Sequence, residues 1–308
     1  MPRSGAATIV REPPSMSRFL LRLGLLAWPL AGLLQAAVAA PTPPETLRPP
    51  PGWPLRWSDE FDVDGPPDPD KWANDTHHNR EGWPNHESQY YAPAGTDNAV
   101  VRDGILRITA RREELPDAPD WGGQHYTSAR LMTRGLAEWT GGFFEARARL
   151  PCGAGTWPAI WTLGSQGDWP ANGEIDLMEQ PGFWPGRILS TLHTAAGSGA
   201  HGVGARVWLP DACEVFHRYQ MLWTDQEIRI GVDGFEHLVY PRLDVGDAGA
   251  RRAWPFDRPQ YLLLNVALGG SLGGAIDDAV LPATLEVDYV RVWQPAPVAE
   301  RRDPPADP

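Results

Sequence analysis

The 308-residue chain carries 39 acidic side chains against 27 Lys and Arg, a formal charge of −12. That sign argues against a nucleic-acid or anionic-membrane partner, because phosphate surfaces recruit positive charge. The 32 Gly and 33 Pro disfavour long helices and favour many strands joined by turns, and 42% hydrophobic residues suffice for a sizeable core.

Residues 1–40 read as an export leader. Arg18 and Arg22 precede the apolar run "LGLLAWPLAGLLQAAVAA", which closes on the small-residue pattern Ala37-Val38-Ala39. Met16 stands just before it and is an alternative start. A cleaved leader is preferred to a membrane anchor because the run contains Pro29 and Gln35 and is short for a span. The leader holds four Arg and one Glu, so without it the charge moves from −12 to −15. Residues 41–52, "PTPPETLRPPPG", read as a proline-rich disordered linker, and 295–308 as a disordered tail. One domain, 53–294, lies between them.

Within that domain "GILRITARR" and "GFFEARARLP" alternate apolar and polar residues, as strands do. Asn74-Asp75-Thr76 is a glycosylation sequon. "GSGAHG" at 197–202 has dinucleotide-binding glycine spacing, but "VGARVWLPDACEV" after it does not read as the helix that site needs. Asp211–Phe216 is the only moderately helical stretch. "YQMLWTDQEIRIGVDGFEHLVY" reads as three strands, with an Asp233-Gly234 hairpin turn before the last. "QYLLLNVALGG" and "TLEVDYVRVWQ" complete the domain. The predicted fold is all-β: two packed antiparallel sheets. In an oxidising compartment Cys152 and Cys213 are expected to pair.

The segment "NGEIDLMEQ", Asn172–Gln180, crowds three carboxylates into a strand. Glu174 and Asp176 share a face; a bulge at Leu177-Met178 returns Glu179 to it. The outer Cα atoms are then about 13 Å apart, and side chains leaning inward bring the two Glu carboxyls to about 5–5.5 Å, the spacing of retaining glycosidases. A solvated acidic edge and a calcium site are the alternatives. The flanks "TWPAIW" and "FWP" do not suit the first, and the second needs six or more oxygens.

The triplet resembles the E-x-D-x-x-E signature of glycoside hydrolase family 16, in the bulged form of bacterial laminarinases. "WSDEFD", "DPDKW", "ESQYY", "YTSARLMTRG", "GTWPAIWTLG", "TLHT", "WPFDRPQYLLLNVALGG" and "VDYVRVWQ" resemble the family in the same order, over nearly all of 55–294. The resemblance implies a β-jelly-roll sandwich with a concave sheet forming the cleft. Glu174 would be the nucleophile, Glu179 the acid/base and Asp176 the assisting carboxylate. The implied substrate is a β-1,3-glucan cut internally with retention. Mixed-linkage glucan, a galactan, and a non-catalytic glucan-binding module are the alternatives.

The same resemblance makes Trp157, Trp161 and Trp169 candidate sugar platforms, the first and last preferred, with core packing as the alternative. Arg130 and Asn85 are candidate polar cleft contacts. His193 is a candidate hydrogen-bond partner near the acid/base, and Glu87 a cleft residue or an ion-pair member. Glu60 and Asp288 match the positions of a structural calcium, with no cofactor needed for catalysis. Leu272 stands where the family commonly has Trp. The mature protein is expected to be a secreted, soluble monomer whose partner is a polysaccharide.

Overall fold

A computed structural model describes residues 46–244 and 246–296. The leader, residues 41–45 and all but the first two residues of the 295–308 tail lie outside the described residues. The strands, in chain order, begin with β1 (Leu55–Asp59), β2 (Ala73–Asn74), β3 (Gln89–Tyr91), β4 (Ala99–Arg102), β5 (Ile105–Arg112) and β6 (Tyr126–Ser128). They continue with β7 (Arg130–Met132), β8 (Gly142–Arg149), β9 (Thr156–Gly164), β10 (Glu174–Glu179), β11 (Arg187–His193) and β12 (Val203–Trp208). The last are β13 (His217–Trp223), β14 (Glu227–Val232), β15 (Phe235–Pro241), β16 (Gln260–Leu268) and β17 (Ala283–Trp293).

They form a ten-stranded sheet, β15-β14-β13-β8-β17-β5-β6-β3 with β1 and β4 attached, and a seven-stranded sheet, β12-β11-β10-β9-β16-β7-β2. Pairing is antiparallel as expected, except that β3 runs parallel to β6. The core lies between the sheets. Period two decides which residues enter it. Along β16, Leu262, Leu264, Val266 and Leu268 join the core cluster, while Tyr261, Asn265 and Ala267 line a cleft on the other face. Asp233 and Gly234 both take positive φ in the β14–β15 turn, as an Asp-Gly hairpin requires.

Several expectations change. Residues 46–52 are not a free linker: Leu47 is buried, and its N–H and that of Thr46 both donate to the Gly234 carbonyl. The apolar side chain outweighs the surrounding prolines. Asp211–Phe216 forms turns rather than a helix, with one i→i+4 bond from Val215 N–H to Asp211. The α-helices among the described residues are α1 (Gly246–Ala253) and the single turn α2 (Gly270–Gly273), beside three 3-10 turns at Pro84–His86, Gly199–His201 and Asp278–Val280. None is long and apolar enough to cross a membrane. "GSGAHG" leads into strand β12. Trp139, in the stretch before β8, is buried edge-on against Trp57 and Phe144.

Cys152 and Cys213 are joined, their Cα atoms 5.9 Å apart. At the expected calcium position, Glu60 accepts two hydrogen bonds from Arg291, and Asp288 accepts one from Arg147. Each carboxylate is already neutralised by a guanidinium, so this donor set does not fit a cation without displacing both arginines.

Candidate active site

The triplet sits mid-sheet on β10, between β9 and β11. Asp176 faces Trp161 on β9, and the next pair is Met178 with Ile160, so Leu177 is the extra residue. Against β11, Asp176 pairs with Thr191 and Glu179 with Leu189, leaving Leu177 and Met178 opposite Ser190 alone. That is the predicted bulge at the predicted place. Ile175, Leu177 and Met178 are buried in the core, while Glu174, Asp176 and Glu179 all line the cleft.

A bulge leaves a backbone carbonyl without a ladder partner. Here Ser190 Oγ–H donates to the Leu177 carbonyl at 2.8 Å, and His237 Nε2, from β15 of the other sheet, lies 2.9 Å from Ser190 Oγ. Burial pushes the His237 imidazole down to about 4, so it is neutral at pH 7. With the Ser190 proton committed to Leu177, His237 Nε2 carries the hydrogen it gives to Ser190. The relay ties the bulge to the opposite sheet.

The cleft has a volume of about 980 Å³. Trp169 Nε1–H donates to Glu174 at 2.6 Å, and Trp157 Nε1–H donates to Glu179 at 2.9 Å. Each outer glutamate thus has its own indole donor. Asp176 is 2% exposed and stands beside Glu174 on the same cleft face, close enough for its charge to raise that glutamate. His193 Nε2 lies 3.1 Å from Asp176 Oδ2. The Gly199 N–H donates to His193 Nδ1, so Nε2 bears the proton of the neutral ring and faces the aspartate.

All three carboxyls are pushed upward. Burial is the largest cause for each. It raises Glu174, with help from the Asp176 charge, to about 8. Glu179 rises to about 7 through burial and the charge of Glu174. Asp176 lies well above its ordinary range through burial and the charge of Glu179. Like charges this close cannot all persist in a dry site, so the cluster retains protons near neutral pH.

The other predicted residues divide. Trp169 is 51% exposed and offers an open ring. Trp157 is 7% exposed and packs against Gly270, where φ is positive and an added Cβ would stand 3.3 Å from the indole. Trp157 therefore lines the cleft with little exposed surface, its ring edge holding Glu179. Trp161, half-buried, donates to Asn265 and lies 4.7 Å from the Arg130 guanidinium. Arg130 also covers Trp83 and lies 2.9 Å from Asp75, so it braces the cleft wall. Asn85 and Leu272 line the cleft. His193 does not serve the acid/base directly: it is paired across from Glu174 and turned to Asp176, because residues opposite in an antiparallel pair share a face.

Two functional candidates were missed. Asn265 Nδ2 donates to Tyr91 Oη, which donates to Glu87, extending a polar chain from Trp161 along the cleft wall. Burial raises Glu87. The available signal was a lone polar residue within "YLLLNVAL".

A family model for "Glycosyl hydrolases family 16" matches residues 86–291. A β-glucanase of Rhodothermus marinus is 47% identical over 254 residues, covering 79% of this chain and 86% of that protein. The crystal structure of SCLam, a non-specific endo-β-1,3(4)-glucanase, superposes with a TM-score of 0.79 at 45% identity, covering 82% of this chain and 95% of that one. The laminarinase structure from Rhodothermus marinus gives 0.73 at 45% identity, covering 79% and 97%.

Proposed function

The chain belongs to family 16 of the glycosyl hydrolases, and from that premise we propose that it is a retaining endo-β-1,3-glucanase in which Glu174 is the nucleophile and Glu179 the acid/base. The observation that carries this is the bulged β10, which turns both glutamates to one cleft face with an indole donor on each.

The protonation pattern follows from depth. Of these two neighbouring carboxyls, Asp176 is the one that holds its proton, being the more deeply buried by solvent exposure. The repulsion that lifts Glu174 toward 8 acts while Asp176 is charged. With Asp176 protonated, that repulsion is gone, and Glu174 keeps the Trp169 donor, which favours its anion. Glu179, with the Trp157 donor and a value near 7, keeps its proton at mildly acid pH.

Glu174 attacks the anomeric carbon as the glycosidic C–O bond breaks, and Glu179 gives its proton to the departing oxygen. A water then enters. Glu179 takes its proton, and the hydroxyl displaces Glu174 from the face the leaving group vacated, so two inversions retain the configuration. His193 orients Asp176 throughout. No step calls on a cofactor.

The name of the structural neighbour that acts on both linkages supports a second reading, mixed-linkage β-1,3-1,4-glucan as a further substrate. The leader-like 1–40 segment and the Cys152–Cys213 bridge support export of the mature chain. The test is product analysis of laminarin digests. A ladder of short oligosaccharides is expected; intact laminarin would sink the β-1,3 reading.

A further inference from the structure

Immediately after Glu179 the chain makes a tight loop, 180–186, that carries two large exposed aromatics: Phe183 at 45% and Trp184 at 53%. Exposed aromatics in a mobile loop would be unremarkable. This loop is pinned. Gln180 Nε2–H donates to the Pro151 carbonyl and its Oε1 accepts from the Gly186 N–H. Gly182 N–H donates to the Thr156 carbonyl, Trp184 N–H to Pro181, Arg187 N–H to Trp184, and Leu209 N–H to Gly186. A side chain at Gly182 would meet backbone and Thr156 atoms at 2.1–2.6 Å, so that position accepts only glycine.

The rings are set as firmly as the backbone. The Arg187 guanidinium lies 4.0 Å from the Trp184 ring centre, and Phe183 lies 5.4 Å from Trp184. Arg187 opens β11. Ile188 and Leu192 point into the core, so Arg187 shares the cleft face with Leu189, Thr191 and His193. Directly opposite Arg187 on edge strand β12 is Trp208, 66% exposed and on the same face. On the other side Phe183 comes within 3.4 Å of the space over Gly274, at the end of α2, which carries Leu272 of the cleft wall. Phe183, Trp184 and Arg187 are thus in mutual contact beside the cleft wall, and Trp208 stands next to Arg187 across the strand pair.

We propose that this strip is a second sugar-binding platform, which takes up the β-glucan chain where it leaves the cleft on the Glu179 side. The occupant follows from continuity with the cleft and from chemistry. Flat indole faces beside a guanidinium donor suit a pyranose, which has apolar faces and a hydroxyl rim. Preformed rings also lower the ordering penalty on binding. Strand spacing of about 4.8 Å puts β12 roughly 10 Å from β10, so the platform serves sugars beyond those at the bond being cut.

This rests on the glucanase reading, and the test separates the two. The wild-type chain and the W184A/W208A double variant are compared on polymeric laminarin and on laminaritriose. The platform predicts a rise of about tenfold in KM for the polymer, with kcat and the trisaccharide constants unchanged. Both side chains are exposed, so folding is preserved; retained trisaccharide turnover verifies this in the same assay. An unchanged KM ratio of polymer to trisaccharide overturns the platform and leaves the glucanase reading intact. No cleavage of either substrate by the wild-type chain overturns both.

Discussion

Glu174, Asp176 and Glu179 work only because they are unstable as neighbours. E174Q is expected to abolish turnover while laminarin binding, measured by calorimetry, persists. E179Q is expected to lower kcat by about 10²–10⁴-fold, the usual worth of a positioned acid/base. The alkaline limb of kcat/KM is expected near pH 7, where Glu179 loses its proton, and that limb vanishes in E179Q. Stability carries the same signature. The Glu174–Asp176 pair and Glu179 keep protons above the ordinary glutamate value of 4.5, so the folded chain retains protons that the unfolded chain has released. Their contribution is fully present below about pH 4.5 and is lost as pH rises through 7–8. E174Q therefore stabilises at pH 9, by about 2 kcal/mol or roughly 4–8 °C of melting temperature, and does little at pH 4. A melting temperature that E174Q lowers equally at both pH values contradicts this electrostatic account.

The bulged strand β10 was legible before any coordinates, because the spacing of Glu174 and Glu179 puts them on one face only if an extra residue intervenes. Its supports were not legible. Ser190 and His237 are 47 positions apart in the chain and belong to different sheets; nothing in local periodicity couples them. Likewise "TWPAIW" revealed that Trp157 and Trp161 share a face, but not that Trp157 is buried as a donor to Glu179, which depends on how closely Gly270 approaches it. Leu47 was lost among prolines, since composition does not register one side chain reaching a distant core. The Ser190 relay makes a test at this scale. S190A leaves the Leu177 carbonyl unpaired, a loss of about 1–3 kcal/mol. Because the bulge sets the position of Glu179, kcat is expected to fall and the alkaline limb to move while KM holds, with S190T restoring much of both. A stability loss with unchanged pH profile would mean that the relay only holds the fold.

In the whole molecule, the Cys152–Cys213 bridge closes a 61-residue separation that contains β9, β10, β11 and β12. Removing it as C152A/C213A is expected to lower stability by about 2–4 kcal/mol, read from denaturant melts. Gln180 Nε2 lies 3.3 Å from Cys152 Sγ, so the same change is expected to loosen the loop after Glu179 and lower activity below the melting transition. Activity that survives while stability drops would confine the bridge to the fold. The alternation along β16 has a different kind of consequence. Leu262, Leu264 and Val266 answer to the core, and Tyr261, Asn265 and Ala267 to the cleft. Interleaving keeps the two sets of demands on separate faces of one strand. Substitutions can accumulate on the cleft face without disturbing the interior, so a lineage built on this strand can drift among polysaccharides while its architecture stays fixed.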